Sequence, residues 1–161
     1  IGTMLASNPT LTRLDLSWNN FKAAGALGVA TGLRNNNTMT FLNLSWNGLE
    51  DEGGKHLGDM LKVNQSLTEL DLSHTRMGPE ACMVLSEGII MNESLEALHL
   101  AYNPCGEDGG RHLMVMLQEN DVLERLSLEG CSFISRQIAG KTAAEFNKHD
   151  ADGPYTLDLS K

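Results

Sequence analysis

The segment Met39-Thr-Phe-Leu42-Asn-Leu44-Ser-Trp-Asn47 combines regularly spaced leucines with a terminal asparagine. Related segments begin at residues 11, 67, 95 and 123. The fourth position of each segment is leucine, at residues 14, 42, 70, 98 and 126, so the period is 28 residues. Self-similarity at a fixed period predicts a repeat architecture in which each unit packs against its neighbours.

Each unit consists of a short strand, a turn and an amphipathic helix such as residues 53–61. Pro79 falls in the first turn of one predicted helix, and Asp51 and Glu107 hold the equivalent positions of two others, where they suit the positive helix end. A lone strand–helix pair cannot bury both its faces, so the units must stack. We therefore predict a right-handed α/β solenoid with a parallel sheet on the concave side and helices on the convex side.

Asparagine recurs at the same period where each helix should end, at Asn8, Asn36, Asn64, Asn92 and Asn120. Because asparagine tolerates the left-handed backbone conformation, we expect these residues to terminate the helices.

The repeats divide the chain, residues 1–161, into segments of one domain. These are the end of a preceding repeat (1–10), regular repeats (11–38, 39–66, 67–94 and 95–122), an irregular fifth repeat (123–153) and the start of a sixth strand (154–161). Neither end matches a polar capping unit, which indicates a piece of a longer protein.

Composition and charge limit the classes of partner. Twelve Lys+Arg against 21 Asp+Glu give a net charge of −9, which disfavours binding to bare nucleic acid or to an anionic membrane. No apolar run approaches the roughly 18 residues of a membrane span. Three cysteines without a CxxC spacing favour a reducing compartment over a disulfide framework. We therefore expect a cytoplasmic protein.

The LxxLxLxxN pattern followed by a helical half-repeat resembles leucine-rich repeat proteins of the ribonuclease-inhibitor-like subclass. That subclass includes the sensor ends of NOD-like receptors, Ran GTPase-activating proteins and tropomodulin-like actin caps. A second period supports the resemblance, because methionine and glycine alternate at positions 4, 32, 60, 88 and 116. The resemblance implies a horseshoe segment that binds a macromolecule on its concave face.

The variable positions of the strands form columns on that concave face. The column before the terminal asparagine contains Trp18, Trp46, His74 and Tyr102, followed by Gly130. Exposed aromatic rings are enriched at interface hot spots, although packing of the turn is an alternative explanation. The neighbouring columns contribute the further candidate residues Arg13, Phe41, Asp15, Asn43, Asp71 and His99.

Catalytic and metal sites are less well supported. Asp71, His99 and Ser127 are consecutive in one column and mimic an acid–base–nucleophile order, but the strand amides are already used by the sheet and no oxyanion hole is evident. His99 beside Asp71 would still favour its charged form and tune binding with pH. His56 and His112 stand two helices apart, roughly 20 Å at the usual helix spacing, so they cannot share an ion. We predict no catalytic residue, cofactor or metal.

These observations predict a non-enzymatic protein–protein interaction module whose concave face binds a protein partner, without nucleic-acid or membrane contact. Three alternatives remain: the sensing or autoinhibitory region of a NOD-like receptor, a GTPase-activating protein of Ran type, and a cytoskeletal or ciliary scaffold. Core leucines near Leu5 and Leu159 are also expected to be exposed at the open ends, which would permit weak end-to-end self-association.

Overall fold

Strands and helices alternate along the chain at the predicted period. The computed structural model describes residues 1–131 and the backbone of a strand at Thr156–Asp158. The helices are α1 (Gly2–Ser7), α2 (Ala23–Leu33), α3 (Glu50–Leu61), α4 (Pro79–Ile90) and α5 (Gly106–Glu119). The strands are β1 (Arg13–Asp15), β2 (Phe41–Asn43), β3 (Glu69–Asp71), β4 (Ala97–His99), β5 (Arg125–Ser127) and β6 (Thr156–Asp158). Most of the predicted irregular fifth repeat, residues 132–153, lies outside the described residues.

The first five strands form a parallel sheet in sequence order. Each strand pairs with the next in a register of one whole repeat, so Leu42 lies between Leu14 and Leu70. With one helix between successive strands, this arrangement is the α/β solenoid predicted from the repeat.

The sixth strand departs from the parallel pattern. β6 pairs antiparallel with β5, with Leu157 opposite Leu126. The spacing of these two leucines is 31 residues instead of 28, so the segment is out of step with the repeat. An antiparallel edge strand on a parallel sheet is common, and it pairs backbone groups that an open edge would leave free.

The core lies between the sheet and the helices. Leu42, Leu44, Leu70 and Leu72 are fully buried, as is Leu57 on the helical side. Full burial of a leucine side chain stabilises a fold by about 1.5–3 kcal/mol, so the leucine pattern supplies much of the stability.

The expected exposure of a core leucine at the N-terminal end is wrong. Leu5 is fully buried, because α1 packs on α2, and the exposed apolar residues of α1 and its cap are Ile1 and Met4. Leu159 lies outside the described residues.

The helix starts agree with the sequence, with one addition. α4 begins at Pro79, and the first turns of α3 and α5 are acidic. Asp51 also reaches across to the next repeat, where its Oδ1 accepts hydrogen bonds from the backbone N–H of Gly78 at 2.8 Å and of Ala81 at 2.9 Å. The carboxylate of one helix thus caps the following helix.

The recurring asparagines do not adopt the left-handed conformation that we expected. Asn8 has φ −87° and Asn120 has φ −106°, both extended. Asn64 shows the actual role: its Nδ2 donates to the carbonyls of Leu33 at 2.8 Å and Asn36 at 3.0 Å in the preceding repeat. Its Oδ1 accepts from the backbone N–H groups of residues 66 and 67. The asparagines therefore connect repeats, because a buried amide can pair carbonyls that helix ends leave free.

Glycines bring the helices together in pairs. A methyl group added at Gly58 of α3 would lie 2.5 Å from the carbonyl oxygen of Val84 in α4, and one added at Gly88 would meet the carbonyl of Gly58. Gly32 of α2 makes the same contact with Gly2 of α1. The double period of methionine and glycine thus places Gly32 and Gly88 where the backbones of α1 and α2 and of α3 and α4 meet.

We expect alanine substitutions at two helical glycines to have opposite effects on stability. Gly58→Ala should lower the free energy of unfolding by about 1–3 kcal/mol, because the new methyl group overpacks against the backbone of α4. Gly28→Ala, where nothing lies within 4 Å of the added carbon, should raise it by about 0.5–1 kcal/mol. Urea denaturation of both variants measures this difference, and equal effects would contradict the close contact.

Candidate functional site

The side chains of Trp18, Trp46, His74 and Tyr102 form a continuous aromatic stack at the turns that follow the strands. Their ring centroids are separated by 4.0, 3.7 and 4.4 Å along the series, and the interplanar angles are 10–15°. The stack is a consequence of the exact period, since each ring lies one strand spacing from the next.

All four residues of the aromatic stack have left-handed backbone conformations, with φ of 55–56°. The N–H of each residue still donates to the neighbouring repeat, as from Trp46 to Ser73 O at 3.0 Å, and the chain then turns away from the sheet. Left-handed backbone costs about 1–2 kcal/mol for a residue other than glycine. Large aromatic residues therefore occupy positions at which the left-handed backbone conformation favours glycine.

Gly130 ends the aromatic stack at its C-terminal side. It has the same left-handed conformation, with φ of 66°, and a methyl group there would collide with the ring of Tyr102. The Tyr102 hydroxyl donates a 2.5 Å hydrogen bond to Glu129 Oε1, and this bond raises the pKa of Tyr102. At the other end, Trp18 is 70% exposed.

Buried polar groups hold the turns beneath the rings. Asn47 Nδ2 donates to the carbonyls of Leu16 at 3.0 Å and Leu44 at 2.9 Å, while its Oδ1 accepts from the N–H of Phe21. Cys131 takes the same position in a later repeat, where its thiol donates to the carbonyl of Leu100 at 3.1 Å. This contact supports a structural role for that cysteine.

The cysteines are reduced and buried. The Sγ atoms of Cys105 and Cys131 are 3.8 Å apart, and Cys82 is also a free thiol. The contact with Cys131 and burial raise the pKa of the Cys105 thiol, which disfavours the reactive thiolate.

The fifth residue of each repeated segment, counted from its first leucine or methionine, lies in one column of the concave face and bonds to the turn that follows. Asp15, Asn43 and Asp71 each accept a hydrogen bond from the backbone N–H two residues later, at 2.8–2.9 Å. Hydrogen bonds from the side chain and backbone of Ser17 hold the pKa of Asp15 below its usual value. These side chains therefore help to form the turn that presents the aromatic stack.

His99 does not pair with Asp71 as we expected. Asp71 is its partner in the sheet register, but the Nε2 atom of His99 lies 3.5 Å from the carboxylate of Glu69. The Asp71 carboxylate is engaged by the N–H of Ser73. The acid–base–nucleophile order of the sequence thus does not become a hydrogen-bonded triad among the described residues.

Arg13 and Phe41 come together at the start of the strands. They are paired in the sheet register, and the guanidinium carbon of Arg13 lies 3.9 Å from the centroid of the Phe41 ring. This cation–π contact forms one end of the concave surface.

A groove of about 410 Å³ runs beside the aromatic stack, on the side of the strand-to-helix loops. We call it the loop groove. It is lined by Asn19, Asn20, Lys22, Trp46, Asn47, Gly48, Glu50, His74, Arg76 and Tyr102. Lys22, Glu50 and Arg76 were not predicted as site residues, because they lie outside the strand positions of the repeat. Their place just after the terminal asparagine of each repeat is the signal that could have found them.

Among residues 1–131, no group of three or more His, Cys, Asp or Glu side chains is arranged to hold a metal ion. No helix in that range is long and apolar enough to cross a membrane.

The stacked strand–helix units and their repeated turns define an α/β solenoid of the leucine-rich class. The leucine-rich repeat family model matches residues 7–30, 35–58 and 63–86. Residues 7–86 therefore carry leucine-rich repeats. No curated protein sequence matches it.

Two solved structures share this fold. Leiomodin-1 actin-binding site 2 superposes with a TM-score of 0.78 at 17% identity, over 89% of this chain and 83% of that chain. The tropomodulin C-terminal domain of Caenorhabditis elegans superposes with a TM-score of 0.74 at 16% identity, over 89% of this chain and 87% of that chain. At these identities the likeness concerns the fold.

We expect Trp18→Gly to change the free energy of unfolding by no more than about 1 kcal/mol. Glycine relieves the left-handed strain, which offsets the loss of one ring contact worth about 0.5–1.5 kcal/mol. Leu44→Ala, at a fully buried position, should cost about 2–5 kcal/mol. Chemical denaturation compares the two. A loss for Trp18→Gly as large as that for Leu44→Ala would show that the exposed ring is structural.

Proposed function

We propose that this protein is a cytoplasmic, non-enzymatic interaction module that binds a protein partner through its concave face and the aromatic stack. The observation that carries the proposal is the exposure of large rings on strained backbone. Trp18, Trp46 and Tyr102 are 70%, 42% and 47% exposed. Aromatic side chains of this kind contribute large contact areas at binding hot spots.

Packing of the turn is a weaker explanation of the aromatic stack. Gly130 makes the same turn without a ring, so the backbone does not require one. The hydrogen bonds of Asn47 hold the turn from within the core, beneath the rings. The rings thus add surface that is available to a partner.

The concave strands offer mixed chemistry around the aromatic stack. Arg13 lies over Phe41 at one end, and His99 pairs with Glu69 nearer the centre. A surface that alternates cationic, acidic and aromatic groups suits a protein partner better than a uniform polyanion, given the net charge of −9.

Affinity capture tests the proposal by comparing two doubly substituted variants with the wild type. Trp18→Ala plus Trp46→Ala should weaken capture of a partner about 30-fold, the expected loss for one hot-spot ring. Leu27→Ala plus Val115→Ala, two exposed apolar residues of the helices, should leave capture unchanged. Thermal melting verifies that both variants fold. Retained capture by the tryptophan variant, or equal loss by the helical variant, would contradict the site.

A cytoskeletal scaffold is the second candidate function. Leiomodin-1 actin-binding site 2 has the same fold over most of both chains, and this likeness to an actin-binding domain favours the candidate. The receptor and GTPase-activating alternatives rest on the sequence resemblance alone.

Co-sedimentation with filamentous actin tests the cytoskeletal candidate. We expect the wild-type protein to pellet with filaments and the tryptophan double variant to remain in the supernatant. The helical double variant is the control and should pellet like the wild type. Wild-type protein that stays in the supernatant at every actin concentration would exclude side binding to filaments and leave other protein partners as the proposal.

A further inference from the structure

We propose that the loop groove binds an acidic peptide segment of the partner, one that carries carboxylates alternating with apolar side chains. This inference rests on the proposed function, because Trp46, His74 and Tyr102 line both the aromatic stack and the groove. It specifies the chemistry of the partner at that surface.

Within residues 1–131, the cations of the loop groove form no ion pair, in contrast to those on the helices. Lys55 pairs with Glu52 and Glu80, Lys62 with Asp59 and Glu87, and Arg111 with Glu107 and Asp108. No carboxylate of the described chain lies within ion-pair distance of Lys22 or Arg76, and both side chains are exposed. Two positive charges are therefore available to an external anion.

Glu50 is the one carboxylate among the lining residues of the loop groove. It forms no ion pair with either Lys22 or Arg76 within residues 1–131. The groove lining thus carries two cations and one anion, while the adjacent Glu129 carboxylate is already engaged by the Tyr102 hydroxyl, on a chain whose net charge is −9. At short range, where the nearest charges dominate over the screened net charge, such a site favours a negative segment.

The geometry of the aromatic stack favours an anion over a cation. Both faces of Trp46 and of His74 are covered by neighbouring rings at 3.7–4.4 Å. Tyr102 is covered on one face by His74 and abuts Gly130. The rings therefore turn their edges to the groove. Ring edges carry the positive part of the aromatic quadrupole, so they suit carboxylate oxygens and apolar groups, whereas a cation would need a free face.

The N-terminus of α2 adds to the positive potential at this edge, whereas the acidic first turn of α3 offsets the partial charge of its own N-terminus. Lys22 directly precedes α2, and Glu50 is the first residue of α3. Helix N-termini carry partial positive charge, and α2 has no acidic residue of its own in its first turn.

The two tryptophans of the chain, Trp18 and Trp46, both belong to the aromatic stack, so intrinsic fluorescence reports on the site. The probes are an octapeptide of alternating glutamate and leucine, its lysine–leucine counterpart, and oligothymidine. We expect saturable fluorescence changes with the acidic peptide that weaken as salt is added. Preference for the lysine peptide or for oligothymidine would overturn the proposal.

Charge variants test the role of the free cations. Lys22→Gln plus Arg76→Gln should weaken binding of the acidic peptide about tenfold, the sum of two exposed charge contacts. Arg34→Gln plus Arg125→Gln removes the same charge elsewhere and should leave the affinity within about twofold. Equal weakening by both pairs would show that only net charge matters, and would overturn the proposed site.

Gly48→Leu tests the groove itself without altering its charge. A carbon added at Gly48 meets only the carbonyl oxygen of Phe21, at 3.8 Å, and the residue does not need positive φ. The variant should fold normally and lose the acidic peptide, because the leucine fills the groove. Unchanged peptide affinity would contradict the location. If the peptide fails to bind while the tryptophan double variant still loses its protein partner, this inference fails and the proposed function stands.

Discussion

Each repeat depends on its predecessor for hydrogen bonds that it cannot form alone. Asn64 joins the carbonyls of Leu33 and Asn36, and Asn47 joins the carbonyl of Leu16 in the same way. A buried polar group left unpaired costs about 1–3 kcal/mol. The spacing of the repeat is therefore set by the backbone as much as by leucine burial. Because that spacing is constant, side chains at one position of successive repeats come into register, which brings the aromatic rings together.

The sequence was sufficient to predict the strands, the layers and the columns of the concave face, because those follow from period alone. The backbone conformation of single residues and the contacts of polar side chains were harder to predict. Asn8 was expected to be left-handed, yet the left-handed residues other than glycine in the described chain are Trp18 and its equivalents, together with Glu50 and Arg76. His99 was expected beside Asp71, but its side chain leans to Glu69. Both errors concern local hydrogen bonds for which several nearby groups compete. The repeat pattern does not indicate which of these groups forms the bond.

The loop groove was missed for a related reason. Its charged residues follow the terminal asparagine, where the sequence varies from one repeat to the next: Lys22 and Glu50 hold the same repeat position with opposite charge. A consensus sequence of the repeat does not show such differences between individual repeats. In the folded chain they lie beside the aromatic rings on one surface. Constant positions thus form the scaffold, and variable positions distinguish this solenoid from others.

The glycine contacts divide the helical layer into pairs. α1 meets α2 at Gly2 and Gly32, and α3 meets α4 at Gly58 and Gly88, with backbone against backbone. At the corresponding level between α2 and α3, Met60 is buried instead. Separating a glycine pair disrupts contacts between main chains, whereas α2 and α3 are joined by side chains, among them the Asn64 amide that bonds to the carbonyls of Leu33 and Asn36. A side chain introduced at Gly58 or Gly88 would therefore displace two repeats at once, so the helical layer tolerates substitution least where main chains meet.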